Sequence, residues 1–334
     1  MSQTGKILIT GGAGYIGSHT AKLLQSVGHD VMVFDNLSTG YSNAVNCPLV
    51  IGDLGDKKLL DKIFSDNDIS TVIHFANSII VEESVLYPNK YFENNVNNGR
   101  NLLDVMVAHK VNKMIYSSSA AIYGEPHYVP IDEDHPKKPV NPYGETKLMF
   151  EKILRWYSEA FGLSSVSLRY FNASGASIDD SLGENHPVET HLIPRIFRVA
   201  TKEEEFLKVF GNDYPTPDGT CLRDYIHVED LAAAHLLSLK KLESDVGLFN
   251  YNVGTGNGIS VGQVVNACME ATKKMIPIEY SPRRLGDPAV LVADADKIKS
   301  ELGFMAQYSD IDTIIKTAWV WHQKLLEKSR QYIR

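Results

Sequence analysis

The chain has 334 residues, 43% hydrophobic and 22% charged, which excludes a disordered or collagen-like polypeptide and suggests about two domains. Its 33 basic and 41 acidic residues give a formal net charge of −8, which argues against a nucleic-acid or membrane-surface binder but not against a small phosphate-bearing ligand. Three widely spaced cysteines (Cys47, Cys221 and Cys268), no apolar run of about 18 residues and no signal-peptide pattern lead us to expect a soluble, cytoplasmic protein with reduced thiols.

In chain order, Lys6–Thr10 (KILIT) reads as a strand and Ser18–Val27 as a helix. Val31–Asp35 is a second strand, Leu59–Ser65 a helix and Thr71–Phe75 a third strand. A helix around Asn97–Ala108 leads to a strand at Lys113–Ser117, a helix at Pro142–Phe161 and a strand at Ser165–Tyr170. Short β-branched runs alternating with helices predict a parallel sheet covered on both faces. Later, Asn212–Thr220 is turn-rich, Leu248–Gly258 is a strand with a Gly/Asn turn, and Asp310–Lys324 is an amphipathic helix. We therefore expect an α/β fold: a doubly wound parallel sheet of the Rossmann type over residues 1–180 and a smaller C-terminal α/β substrate domain over 181–334. Some later segments are free to cross back to the first domain.

Thr10–Gly17 (TGGAGYIG) fits G-x-G-x-x-G between a strand and a helix. In that setting glycines allow a tight turn and close backbone approach, and helix N-terminal N–H groups meet a pyrophosphate. Asp35 ends the next strand, 18 residues beyond Gly17, where a carboxylate accepts from a ribose and repels a 2′-phosphate. The cofactor expected is NAD. Tyr143 and Lys147, four apart, share a helix face that Asn141 caps and Pro142 opens. A nearby lysine and a positive nicotinamide ring would lower the tyrosine pKa from about 10 toward that of a usable base. Ser119, ending KMIYSSS, is placed to hold the same hydroxyl from the other side.

The glycine loop, the serine run and YGETK resemble the extended branch of the short-chain dehydrogenase/reductase family, and within it the UDP-glucose (UDP-galactose) 4-epimerases. The resemblance runs through Asp35-Asn36-Leu37, Gly52-Asp53-Leu54, His74-Phe75-Ala76, Asn94-Asn95-Val96-Asn97, Tyr170-Phe171-Asn172, His191-Leu192-Ile193-Pro194, Arg223–Val228 and Arg283–Asp287. It implies that Gly11, Gly14, Tyr15 and Ile16 cradle the pyrophosphate. Asp35 and Asn36 take the ribose, and Asp53 and Leu54 flank the adenine. Phe75, Ala76, Asn94 and Phe171, with Ser119, Tyr143 and Lys147, line the nicotinamide half. Asn172, Leu192, Phe210, Arg223, Arg284 and Asp287 contact the UDP moiety, and arginine suits a diphosphate because its planar fork is always charged. Leu291 bounds the pocket beside the sugar's C2 substituent.

The resemblance also implies the reaction. Tyr143 takes the proton of the 4-hydroxyl while C4 yields hydride to tightly held NAD, and the 4-keto sugar turns over and takes the hydride back. Binding energy from the non-reacting UDP holds the sugar meanwhile. The partner it implies is a second copy, paired through helices near Tyr91–His109 and Pro142–Phe161. Related dehydratases carry an Asp-Glu pair after the serine/threonine position; Ala120 and Ala121 stand there in this chain. Glu82 departs from the family's usual glycine and Ile79 from a lysine seen in some members. A carboxylate at Glu82 is tolerable only if it points to solvent.

Three other readings are open to the same residues. A UDP-N-acetylhexosamine 4-epimerase or another nucleotide-sugar enzyme fits the same motifs. A non-catalytic NAD sensor would have no use for Ser119, Tyr143 and Lys147 together. Gly258–Gly262 matches G-x-S-x-G, with Asp287 and His322 following in hydrolase order. Ser260 with Gln263 reads better as a capping box before the apolar run Val264–Ala271. The eleven histidines show no H-E-x-x-H, and no metal site is expected.

Overall fold

The structure is a computed structural model that describes residues 5–284 and 287–332, with side chains to residue 328. Its strands are β1 (Lys6–Thr10), β2 (Val31–Asp35), β3 (Leu49–Ile51), β4 (Ile69–His74), β5 (Lys113–Ser119) and β6 (Ser164–Tyr170). They continue with β7 (Asn172–Ser174), β8 (Leu207–Phe210), β9 (Leu222–His227), β10 (Leu248–Val253), β11 (Gly258–Ser260), β12 (Ile278–Ser281) and β13 (Val290–Leu291). Seven of them form one parallel sheet in the order β10-β6-β5-β4-β1-β2-β3. The chain runs outward from β1 in one direction through β2 and β3, and in the other through β4, β5 and β6. The sheet is thus the doubly wound arrangement expected, with its switch of direction between β1 and β4.

The period of two in the strands builds the core. Ile7, Ile9, Val33, Ile73 and Ile115 face one side with the helices Tyr15–Ser26 and Val228–Ser244, and all five are fully buried. Leu8, Met32, Phe34, Val72 and Met114 face the other, against Lys57–Asp66, Gly99–Ala108 and Pro142–Phe161. Each such side chain contributes about 1.5–3 kcal/mol, so both faces are committed and the sheet's ends carry the chemistry.

The helix expected near Asn97 begins earlier. A wider π turn, Phe92–Asn98, runs straight into Gly99–Ala108. Among the segments beyond residue 180, β10 joins the large sheet beside β6, and the Val228–Ser244 helix packs on that sheet. β7, β11 and β13 gather around β9, while β8 pairs with β12. A third core, including Ile193, Phe197, Val264 and Ile315, lies behind them.

Candidate active site

The glycine loop sits at the switch point. Phe75 N donates to Thr10 O at 2.8 Å, which brings the ends of β1 and β4 side by side. Gly11 has φ +71°, and a Cβ there would lie 2.5 Å from Ala76 N. At Gly17 a Cβ would lie 2.4 Å from Gly11 O, so the first helical turn packs directly on the loop. Gly14 differs: a Cβ there would meet only Gly11 O, at 3.4 Å. Gly14 is also the N-cap of Tyr15–Ser26 and offers no capping side chain, so the first N–H groups of the helix face an open cradle. This cradle fits a pyrophosphate.

The adenosine group expected from sequence is brought together. Asp35 is buried; Oδ2 accepts from Ala13 N at 2.9 Å and Oδ1 from Leu37 N at 2.8 Å. Burial pushes its carboxyl up, and the two N–H bonds oppose the shift. Asn36 Nδ2 donates to Asp53 Oδ2 at 2.8 Å, and Leu54 beside it is buried. Ile16 packs on the core, and Tyr15 donates its hydroxyl to Gly175 O at 2.6 Å.

The catalytic candidates meet at the end of β5. Asn141 caps the Pro142–Phe161 helix by accepting from Gly144 N at 2.8 Å, with Pro142 in the first turn. A Cβ on Gly144 would lie 2.4 Å from Ala121 O, so only glycine lets the helix start this close to the turn after Ser119. Ser119 Oγ accepts from Ala121 N at 3.1 Å and lies near enough to the Tyr143 phenol to act on it. Lys147, one turn on, is buried and donates to Ser117 O at 2.6 Å, with Nζ 5.7 Å from the Tyr143 ring centre.

Burial lowers the Lys147 pKa to about 7, with Glu151 opposing. Burial raises that of Tyr143, and nearby Ser119 opposes. The expected lowering by lysine is therefore not what the chain alone gives. Lys147 is aimed at a backbone carbonyl, and its own charge is disfavoured by the same dry surroundings.

Sequence reasoning missed the polar groups behind this trio. Glu151 is bound by Arg169 through both oxygens, Nε–Oε1 3.0 Å and Nη2–Oε2 2.8 Å, and Ser118 donates to Oε1 at 2.6 Å. Arg169 also donates to the Tyr123 hydroxyl, which donates to Asn252 Oδ1 at 2.6 Å. In sequence, Asn95 is only one member of the Asn94–Asn97 run. It is fully buried and joins the Ser78 backbone to Thr146 on the Tyr143 helix. Asn94 donates to Ser78 Oγ at 3.2 Å. Phe75 lies against His235, with ring centres 4.8 Å apart, next to Ala76. Glu82 is exposed in the first turn of the helix Val81–Leu86, and Ile79 is exposed too, so the departure from glycine places no carboxylate in the site.

The phosphate-binding candidates converge from separate elements. Arg223 on β9 is buried and ion-paired with Asp287. Arg284 stacks on Phe210 at 3.9 Å. Leu291 is in register with Arg223 and packs with Phe171 on a small cluster that includes Ile122 and Leu148. Asn172 reaches β9 at Tyr225. Leu192 opens the helix Leu192–Ala200 and is tied instead to the third core. Of the Arg283–Asp287 motif, Leu285 and Gly286 lie outside the described residues.

The hydrolase pattern does not assemble. Ser260 and Gln263 form the capping box, and the Ser260 hydroxyl donates to Asp218. Asp287 is taken by Arg223, and His322 stacks on Trp319 near Glu203.

The sequence pattern of the NAD dependent epimerase/dehydratase family matches residues 7–254. The chain belongs to that family. A UDP-glucose 4-epimerase of Halalkalibacterium halodurans is 48% identical over 319 residues, 95% of this chain and 96% of that one. The crystal structure of UDP-glucose 4-epimerase from Brucella ovis in complex with NAD matches at a TM-score of 0.92 and 48% identity, covering 95% of this chain and 98% of that one. The Bifidobacterium longum UDP-glucose 4-epimerase, in complex with NAD+ and UDP, matches at 0.91 and 40% identity over 96% and 98%.

Proposed function

We propose that the chain interconverts UDP-galactose and UDP-glucose by inverting C4 through a transient 4-keto sugar, with NAD held at the glycine loop, as a step of galactose metabolism. The observation that carries this reading is the convergence of Ser119, Tyr143 and buried Lys147, which donates to Ser117 O, at the sheet end that also presents the open cradle at Gly14. Asp35, Asn36 and Asp53 would hold the adenosine half, and Phe75, Asn94 and Phe171 the other. When bound, NAD supplies a positively charged ring that takes up and returns the electrons removed at C4.

The chain's own residues do the rest. Tyr143 Oη takes the proton of the sugar 4-hydroxyl and returns it, while Ser119 Oγ orients that hydroxyl. Lys147, donating to Ser117 O, fixes the geometry beside the phenol. Arg223, whose fork Asp287 sets, and Arg284 on Phe210 grip the diphosphate, so the sugar can turn over without leaving. Ala120 and Ala121 provide no second acid, which separates this site from one that expels a hydroxyl.

The domain limits 1–180 and 181–334, with β10 and the Val228–Ser244 helix crossing back to the first, belong to the same reading, as does action in the cytoplasm; no helix among the described residues is long and apolar enough to cross a membrane. A homodimer through the helices near Tyr91–His109 and Pro142–Phe161 is supported by Trp156 and Phe161 on the latter, 59% and 57% exposed.

The test is NMR product analysis with UDP-galactose, without and then with excess NAD, on the intact chain and Tyr143→Phe. UDP-glucose forms with the intact chain, and the variant is slower by about 10²–10⁴. No product even with excess NAD, or undiminished product from the variant, refutes the proposal.

A further inference from the structure

Between the dinucleotide loop and the Leu192–Ala200 helix, the segment 184–191 folds four donor groups onto one point. Glu184, His186, Glu189 and His191 each offer one atom, and the four lie within 4.8 Å of one another. His186 Nδ1 is 3.3 Å from Glu184 Oε1 and 3.5 Å from Glu189 Oε2, and His191 Nδ1 is 3.5 Å from Glu189 Oε1. His191 Nδ1 also touches Glu184 Oε1. Bonds of about 2.0–2.1 Å to a tetrahedral ion put neighbouring ligands about 3.3–3.4 Å apart, close to three of these separations, and the His191–Glu184 contact would open to admit the ion.

A second observation points into the same spot. The Glu184 side chain is only 7% exposed, and its Oε1 is buried without a well-formed hydrogen bond although both imidazoles face it. Its environment therefore leaves this oxygen short of a directed partner. The rest of the cluster is held in place. Glu189 Oε1 accepts from Thr190 N and His191 N at 2.8 Å each, and Trp321 Nε1 donates to Glu184 O at 2.8 Å. His191 is 46% exposed and provides a route in from solvent.

We propose that Glu184, His186, Glu189 and His191 bind a divalent transition-metal ion of the zinc type. Two imidazoles and two carboxylates match zinc's ligand preferences, whereas magnesium and calcium take oxygen ligands. Four protein ligands would close the coordination sphere, so the ion is structural and takes no part in the chemistry at C4. It clips the segment leading into Leu192, and it takes over from the two imidazoles, which give up their protons on binding, the charge balance of two carboxylates near Tyr15, whose ring packs edge-on to His186 at 6.4 Å beside the expected pyrophosphate.

The purified chain is stripped with chelator and dialysed against Zn²⁺ alone, and bound metal is counted by mass spectrometry. Co²⁺ is substituted in parallel for its visible spectrum. The expected result is one equivalent of Zn²⁺ per chain and the intense d–d bands of four-coordinate Co²⁺. His186→Asn and Glu189→Gln should each bind about 100-fold more weakly or worse, since changes to groups that only support ligands already cost 10–100-fold. Equal binding by intact chain and variants, or substoichiometric zinc in the intact chain, overturns the proposal and leaves a histidine–carboxylate ion network only. Should a variant misfold, the intact chain's stoichiometry and Co²⁺ spectrum decide: a weak, six-coordinate spectrum refutes the site. Neither readout depends on epimerase activity.

Discussion

Gly14 and Gly17 stand three residues apart in one loop, and the structure predicts opposite consequences for adding a methyl group to each. At Gly17 the new carbon would sit 2.4 Å from Gly11 O and 2.8 Å from Gly12 Cα. Both are backbone atoms, and neither has room to retreat. The loop is closely packed all round: a Cβ at Gly11 would lie 2.5 Å from Ala76 N, and one at Gly12 would meet Val33 Cγ2 at 2.6 Å. Overpacking of this kind costs typically about 1–3 kcal/mol, and contacts to backbone argue for the upper half. Alanine's better helix propensity returns up to about 1 kcal/mol, leaving about 1–2 kcal/mol of destabilisation. For domains of this size that is a Tm lower by roughly 2–8 °C.

At Gly14 the same carbon finds space, with Gly11 O at 3.4 Å as its only neighbour. Stability should change by less than about 1 kcal/mol, the scale of a weaker N-cap. The methyl would instead stand in front of the helix N-terminus, where the pyrophosphate must approach. A loss of about 1–3 kcal/mol there is about 5–150-fold in Kd for NAD. Thermal unfolding without cofactor and calorimetric titration with NAD separate the two variants. If Gly14→Ala binds NAD within about twofold of the parent, the placement of the pyrophosphate at this helix end is wrong. If Gly17→Ala keeps its Tm, the loop is softer than the packing argument requires.

Three further outcomes follow from the site. Because burial lowers Lys147 to about 7, the unfolded chain holds one more proton than the folded chain from there up to the ordinary lysine value. Stability should therefore rise with pH across that window, by at most about 1.4 kcal/mol per unit for this group. Urea midpoints measured without cofactor should show this slope in the parent but not in Lys147→Met, and identical slopes refute the assignment. Glu151→Gln leaves the Arg169 guanidinium, only 2% exposed, without its counter-charge. Breaking a buried pair this way costs about 3–5 kcal/mol, and a denaturation loss under about 1 kcal/mol would show the pair to be dispensable. Leu291→Tyr should leave turnover of UDP-glucose and UDP-galactose largely intact while reducing any turnover of UDP-N-acetylglucosamine. Equal effects on both sugar classes would remove Leu291 from the C2 pocket.

What could be read from the sequence was whatever local spacing controls. β1, β2 and the Pro142–Phe161 helix begin and end where the pattern placed them, because apolar alternation and the Asn141-Pro142 cap are local signals. Tyr143 and Lys147 share a face for the same reason. The π turn at Phe92–Asn98 escaped because neither its start nor its wider pitch leaves a mark at a period of 3.6. The sign of the Tyr143 shift escaped too, since desolvation depends on what covers the ring and Y-x-x-x-K says nothing of that.

Glu151 marks the boundary between the two kinds of information. Its position four residues beyond Lys147 puts it on the same helix face as Tyr143 and Lys147, but a lone glutamate there reads as a solvated side chain. Its role depends on Arg169, which reaches it only because β5 and β6 pair in parallel with Ser118 opposite Arg169. That register is long-range information. The 184–191 segment is further from legibility still. It belongs to no helix or strand, so no period indicates that Glu184, His186, Glu189 and His191 face inward together. Their convergence depends on anchors from far along the chain, including Trp321 on the Glu184 carbonyl. The NAD cradle is written in one loop, while the second cluster exists only once distant segments have packed, so it could be found only in the fold.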